Sequence, residues 1–143
     1  TNEAAVRVLK DVLKSNNIDT PVIVVPVPNS LHYKCCITCV DEYNLIVSDT
    51  FDGRNLIQNS LNCIKNVENH RYNLHYVEND ISANVVRVNN ILIAPESANR
   101  QSKCVYENLI NTIDELNDIR YVPNDEFTKL DGSLTCRSIL IWG

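Results

Sequence analysis

The chain contains no methionine among its 143 residues and begins at Thr1. A translated product starts with Met, so the expectation is a processed chain or a piece of a longer one. Its many asparagines form no Asn-x-Ser/Thr sequon, which weighs against a secreted glycoprotein. No apolar run approaches the ~20 residues of a membrane span, and the N-terminus lacks a signal-peptide pattern. Positive charge is not in excess. The 13 basic and 18 acidic side chains leave a net charge of −5, which argues against a nucleic-acid surface.

What is present fits one compact domain. Hydrophobic residues make up 44% and charged residues 22%, an ordinary globular balance that excludes disorder. A chain of this length supports a real hydrophobic core. The six cysteines are Cys35, Cys36, Cys39, Cys63, Cys104 and Cys136. An even count permits disulfides, but such a core does not need them, and the reading is a cytoplasmic protein with reduced thiols.

Residues 3–15 carry Ala4, Val8, Leu9 and Leu13 near helical spacing, with Asn2 as N-cap and Asn16-Asn17 as the stop. Val22-Ile23-Val24-Val25 is a β-branched run suited to a strand buried on both faces. Pro26 and Pro28 close it, Asn29–Leu31 is a loop, and His32 follows at once. Two hairpins come next, ITCV to LIVS and NVVRV to ILIA, the second turning at Asn89-Asn90. Each precedes a helical stretch, about 56–67 and about 100–116. Each helix precedes a short strand, at Asn73–Val77 and at Ile119–Val122. Strand, strand, helix, strand therefore occurs twice, about 46 residues apart, and the chain reads as an α/β repeat assembly. Residues 3–25 look like the tail of an earlier unit, and Ser133–Ile141 like a strand opening a later one.

Several residues could carry chemistry. In Leu130-Asp131-Gly132-Ser133-Leu134-Thr135-Cys136 a carboxylate, a glycine turn and a cysteine stand together where a loop meets the expected strand. The competing reading of Cys136 is a small buried hydrophobe. Cys36-x-x-Cys39 has the inner spacing of a zinc knuckle or redox pair. No second ligand pair follows at the required distance, and neighbours Cys35 and Cys36 would diverge on a strand. His70 and His75 flank Tyr72 and default to solvated or packing roles. His32 stands apart, after a Pro-x-Pro loop, and a distant His and Cys can meet as base and nucleophile.

Ser30-Leu31-His32-Tyr33-Lys34 and its cysteine-bearing continuation resemble the histidine motif of the dimethylarginine dimethylaminohydrolases. Leu130–Cys136 resembles that family's C-terminal nucleophile motif. Thr1-Asn2-Glu3 resembles the start of its mid-chain helix, and Asn69–Tyr72 through Ser82-Ala83-Asn84 the segment before its fourth repeat. The similarity spans essentially all of the chain. It is closer to the animal enzymes than to arginine or agmatine deiminases, which share the fold.

The resemblance implies a pentein, an α/β propeller of ββαβ units, of which 1–143 would be the C-terminal portion of a single catalytic domain. About two complete units are expected, with partial units at both ends. It implies hydrolysis of Nω-methylated arginine to citrulline and a methylamine, with no cofactor. Cys136 would attack the guanidinium carbon to give a thiouronium intermediate, and His32 would serve as acid and then base. Asp131 would bind the guanidinium N–H groups, joined by the backbone carbonyl of Leu130. The family's other acidic residues and its carboxylate-binding arginine lie upstream, so the expected partner is the N-terminal half of the same enzyme. Cys35 departs from the family's usual Ser or Thr, which places extra thiols near His32. No structural metal is expected, although Cys136 and His32 could take an inhibitory zinc ion. The alternatives are a non-catalytic pentein that binds methylarginine or a protein, an arginine deiminase, and a zinc module using Cys35, Cys36, Cys39 or Cys136 with His32.

Overall fold

The computed structural model describes residues 2–27, 32–65 and 71–139. The expected loop at 29–31, the end of the helix at 66–67, His70 and the end of the last expected strand lie outside them.

Helix α1 (Glu3–Ser15) starts where Asn2 accepts the Ala5 N–H at 3.1 Å. It stops where Asn17 takes φ 56, with the Ile18 N–H reaching back to the Leu13 carbonyl at 2.9 Å. A short helix α2 (Tyr33–Cys36) leads into β1 (Ile37–Cys39), β2 (Asn44–Ser48), α3 (Phe51–Ile64) and β3 (Asn73–Val77). Another short helix, α4 (Asp80–Ala83), joins this group to β4 (Val86–Val88), β5 (Ile91–Pro95), α5 (Arg100–Thr112) and β6 (Asp118–Val122). The chain continues through α6 (Asp125–Thr128) and a 3₁₀ turn at Thr135–Arg137.

The doubled order of strand, strand, helix, strand is present as the hydrophobic pattern implies. Each three-stranded sheet has an antiparallel pair (β1–β2, β4–β5) and a parallel pair across a helix (β2–β3, β5–β6). The β4–β5 turn uses Asn89 at φ 53, a conformation that asparagine tolerates.

Helix α3 begins five residues before its expected start because Thr50 caps it, accepting the Gly53 N–H at 3.1 Å. A Cβ on Gly53 would collide with the Ser48 carbonyl, so only glycine lets the helix start this close to β2. Helix α5 ends four residues before its expected end. Ile113 and Leu116 turn inward there and join the core.

Two expected strands are not strands. Residues 21–27 pair with none of the described strands; Val25 and Val27 pack against the core while Val24 is exposed. A β-branched run favours extended chain, but a strand also needs a neighbour to receive its ladder. Within Ser133–Ile141 the described residues form no strand but a 3₁₀ turn at Thr135–Arg137, where Leu134 is buried and the Thr135 N–H is tied to the Asn84 side chain.

Alternation along β2 organises the core. Ile46 joins a cluster with Leu92, Tyr106 and Leu109, whereas Val47 joins one with Leu56 and Ile57. The first sheet therefore has α5 on one face and α3 on the other, and α5 lies between the two sheets. Full burial of Ile46, Leu92 or Leu109 contributes about 1.5–3 kcal/mol each.

Candidate active site

Short helix α4 fastens the two sheets together. Thr38 of β1 donates to the Ala83 carbonyl at 2.6 Å, and Tyr106 of α5 donates to the Ser82 carbonyl at 2.6 Å. Burial pushes the Tyr106 hydroxyl well above the usual phenol range. Ser48 donates to Asp80 at 2.5 Å, and Asn79 caps the Ser82 N–H at 2.9 Å. Asn84, the next residue along, is 2% exposed.

The Asn84 side chain makes two long-range bonds. Its Nδ2 donates to the Lys34 carbonyl at 2.9 Å, and its Oδ1 accepts the Thr135 N–H at 2.9 Å. Lys34 lies two residues after His32, and Thr135 immediately precedes Cys136. The structure thus joins the histidine segment and the cysteine segment, about a hundred residues apart, through one buried amide.

His32 is exposed at the N-cap position of α2, with φ −140 and ψ 153. The helix it opens is held firmly. Tyr33 donates to Ser60 of α3 at 3.0 Å, Ser60 donates on to the Leu56 carbonyl at 2.7 Å, and Cys36 is fully buried. Burial raises the Tyr33 hydroxyl above its ordinary value. Cys35 is half-buried against the α3 cluster.

Cys136 is exposed in the 3₁₀ turn rather than at a strand mouth. Its neighbour Arg137 donates to Oδ1 of buried Asn124 at 2.7 Å and lies over the Phe127 ring at 3.9 Å. Asn124 also donates to Thr128 at 3.0 Å, and Thr128 returns a bond to the Asn124 carbonyl at 2.8 Å. Asp131 sits between these anchors with φ 57, capping α6: its N–H meets the Thr128 carbonyl at 3.1 Å and the Gly132 N–H meets that of Phe127 at 2.8 Å. Leu130 is 87% exposed, and its N–H meets the Phe127 carbonyl at 3.0 Å.

Beside these segments lies a cleft of about 810 Å³. Tyr33, Lys34 and Thr135 line one part and the Arg87–Glu115 ion pair (2.7 Å) another. His32, Leu130, Asp131 and Cys136 do not line it. Cys39 does, and its thiol is pushed up by burial and by the Asp41 carboxylate.

None of the six cysteines forms a disulfide. Among the described residues no group of three or more His, Cys, Asp or Glu is arranged to hold a metal ion, and no helix is long and apolar enough to cross a membrane. Cys36 is buried while Cys39 is exposed.

The sequence assigns no role to Asn84, which stands only within the Ser82-Ala83-Asn84 stretch of the resemblance, or to Asn124. The signal for Asn84 was an amide set directly before the apolar Val85-Val86; for Asn124 it was only an asparagine after Pro123.

No family model matches the chain. Its structure is similar to that of C. jejuni agmatine deiminase, with a TM-score of 0.61 at 13% identity, over 95% of this chain and 46% of that one. The shared fold is mixed α/β with small three-stranded sheets. The chain spans a little under half the length of that deiminase.

Proposed function

We propose that this chain carries the acid–base and nucleophile portion of a cytoplasmic pentein hydrolase. Its substrate is the guanidino group of an Nω-methylated L-arginine, and its products are L-citrulline and a methylamine. The observation that carries the reading is the Asn84 bridge, which brings together the segments of the two residues such chemistry needs. The fold supports the same class of reaction, and the motifs around His32 and Cys136 supply the methylated substrate.

Cys136, as thiolate, attacks the guanidinium carbon and forms a C–S bond. His32 gives a proton to the departing methylamine, leaving a thiouronium, and then takes a proton from the water that attacks it. Collapse breaks the C–S bond, returns the thiol and releases citrulline. Asp131 and the Leu130 carbonyl accept hydrogen bonds from the guanidinium N–H groups, holding the carbon in front of sulfur. No cofactor takes part. The remaining acidic groups and the cation for the substrate carboxylate come from the N-terminal half of the same enzyme.

A second reading is deimination of an unmethylated guanidine, favoured by the likeness to an agmatine deiminase. The test is citrulline release from asymmetric dimethylarginine by the longest native product of the gene, with arginine and agmatine turnover run alongside. Cys136→Ala should abolish turnover, and His32→Ala should lower it by about 10²-fold or more. Asparagine tolerates the left-handed backbone of position 131, so Asp131→Asn should lower kcat/KM with the fold intact. Near-normal turnover in the first two variants would remove those residues from the mechanism. Faster turnover of agmatine or arginine than of dimethylarginine would establish the second reading.

A further inference from the structure

We infer that Asn84 is a positioning residue that sets His32 and Cys136 in register, an inference that rests on the function proposed above. The argument starts from what its two partners require. Lys34 offers a carbonyl and Thr135 an N–H, so the side chain between them must donate on one side and accept on the other. A primary amide does both, from two separate atoms; a carboxylate or an alkyl group of the same length does not. With only 2% of the residue exposed, water cannot replace either bond at no cost.

The backbone that holds Asn84 is itself fixed from both repeats, by β1 and by α5. Thr38 and Tyr106 seize the carbonyls of the two preceding residues, so the amide cannot follow a drifting partner. Both of its bonds end on backbone atoms, Lys34 two residues from His32 and Thr135 next to Cys136. Movement of either segment must therefore break a bond to a rigid post. Misplacement of a reacting group by about 1 Å can lower a rate by about 10²-fold.

Aspartate is the discriminating substitution. Asn84→Asp keeps an acceptor for the Thr135 N–H but sets a carboxylate against the Lys34 carbonyl, releasing the His32 side alone. Asn84→Ala releases both sides. Val85→Ala, a truncation at the next buried residue, removes packing without touching the bridge.

The experiment measures three things on these variants and on His32→Gln in the longest native product. They are kcat and KM for asymmetric dimethylarginine, the pH profile of Cys136 alkylation by iodoacetamide read on its own peptide, and exchange of the Thr135 amide. Asn84→Asp should lower kcat by about 10-fold to 10²-fold with KM changed less than about threefold. It should also erase the inflection that His32→Gln removes from the alkylation profile, while the Thr135 amide stays protected. Asn84→Ala should lose that protection as well. Val85→Ala should lower the melting temperature yet keep kcat within about twofold and keep the inflection. Wild-type kcat and an intact inflection in Asn84→Asp would overturn the inference and leave the proposed function standing. An Asn84-dependent inflection without turnover of any guanidine would uphold the registration and overturn the function. A wild-type profile indifferent to His32 would overturn both.

Discussion

Helices α1 and α5 are both thirteen residues long, and each is capped by an asparagine that accepts an N–H three residues on. Their surroundings differ completely. Helix α5 buries Ser102, Tyr106 and Leu109, spaced four and three residues apart, between the two sheets. Helix α1 buries none of its residues, although Val8, Leu9 and Val12 form an apolar stripe that is 61%, 48% and 51% exposed. Helical spacing and caps determine that a helix forms and which face is apolar. What covers that face is settled by the rest of the chain, through contacts that local pattern does not encode. A helix of this length is marginal by itself in water, so α1 depends on its caps and propensity where α5 depends on packing.

The largest effect expected from this contrast lies in paired truncations. Leu109→Ala removes a fully buried side chain and should cost about 2–5 kcal/mol in urea unfolding. Leu9→Ala, at a matching point of the uncovered stripe, should change stability by less than about 0.5 kcal/mol. Equal losses would mean that α1 is covered in solution and would break the comparison.

A smaller effect separates the caps. Replacing Asn99 or Asn2 by alanine removes one side-chain acceptor from a helix start, worth about 1 kcal/mol in either place. For Asn99→Ala that loss should appear in the global unfolding midpoint, since α5 unfolds with the sheets around it. For Asn2→Ala it should appear only as faster amide exchange within α1, with the global midpoint unchanged. A shift of that midpoint in Asn2→Ala would show that α1 belongs to the cooperative unit.

The same division explains how far the sequence could be read. Both repeats, the α1 boundaries and the Asn89 turn follow from local chemistry, namely alternation, caps and tolerance of positive φ, and all were legible. The failures occurred where a distant partner decides. Val22–Val25 has the composition of a strand, but none of the described strands pairs with it. Thr135 and Cys136 bend into a 3₁₀ turn because an amide 51 residues earlier holds the Thr135 N–H. The motifs around His32 and Asp131–Cys136 could be picked out as candidates. The bond network joining them could not, because its central residue bonds to the backbone of Lys34 and Thr135, and a pairing across 50 residues leaves no local pattern.

The smallest effect concerns pH and again separates covered from uncovered elements. His75 on β3 faces Asn44 of β2 across the parallel pair, with its Nε2 2.9 Å from Asn44 Oδ1. The Asn44 amide nitrogen already donates to both Asp41 carboxylate oxygens, at 3.0 and 2.9 Å, so Oδ1 is left as acceptor and Nε2–H of the ring donates to it. Partial burial lowers the folded-state pKa below its ordinary 6.5, opposed only in part by the Asp41 charge. The unfolded chain therefore binds the proton first as pH falls. This contribution to stability is complete above about pH 6.5 and is lost on acidification toward the lower folded value. Helix α1 contains no histidine, and its helical signal should not respond across that window. The urea midpoint of wild type should fall between pH 7.5 and 5.5 by more than that of His75→Gln, which keeps a donor for Asn44 but cannot titrate. Parallel pH dependences in the two proteins would assign the acid sensitivity to carboxylates and remove His75 from the account.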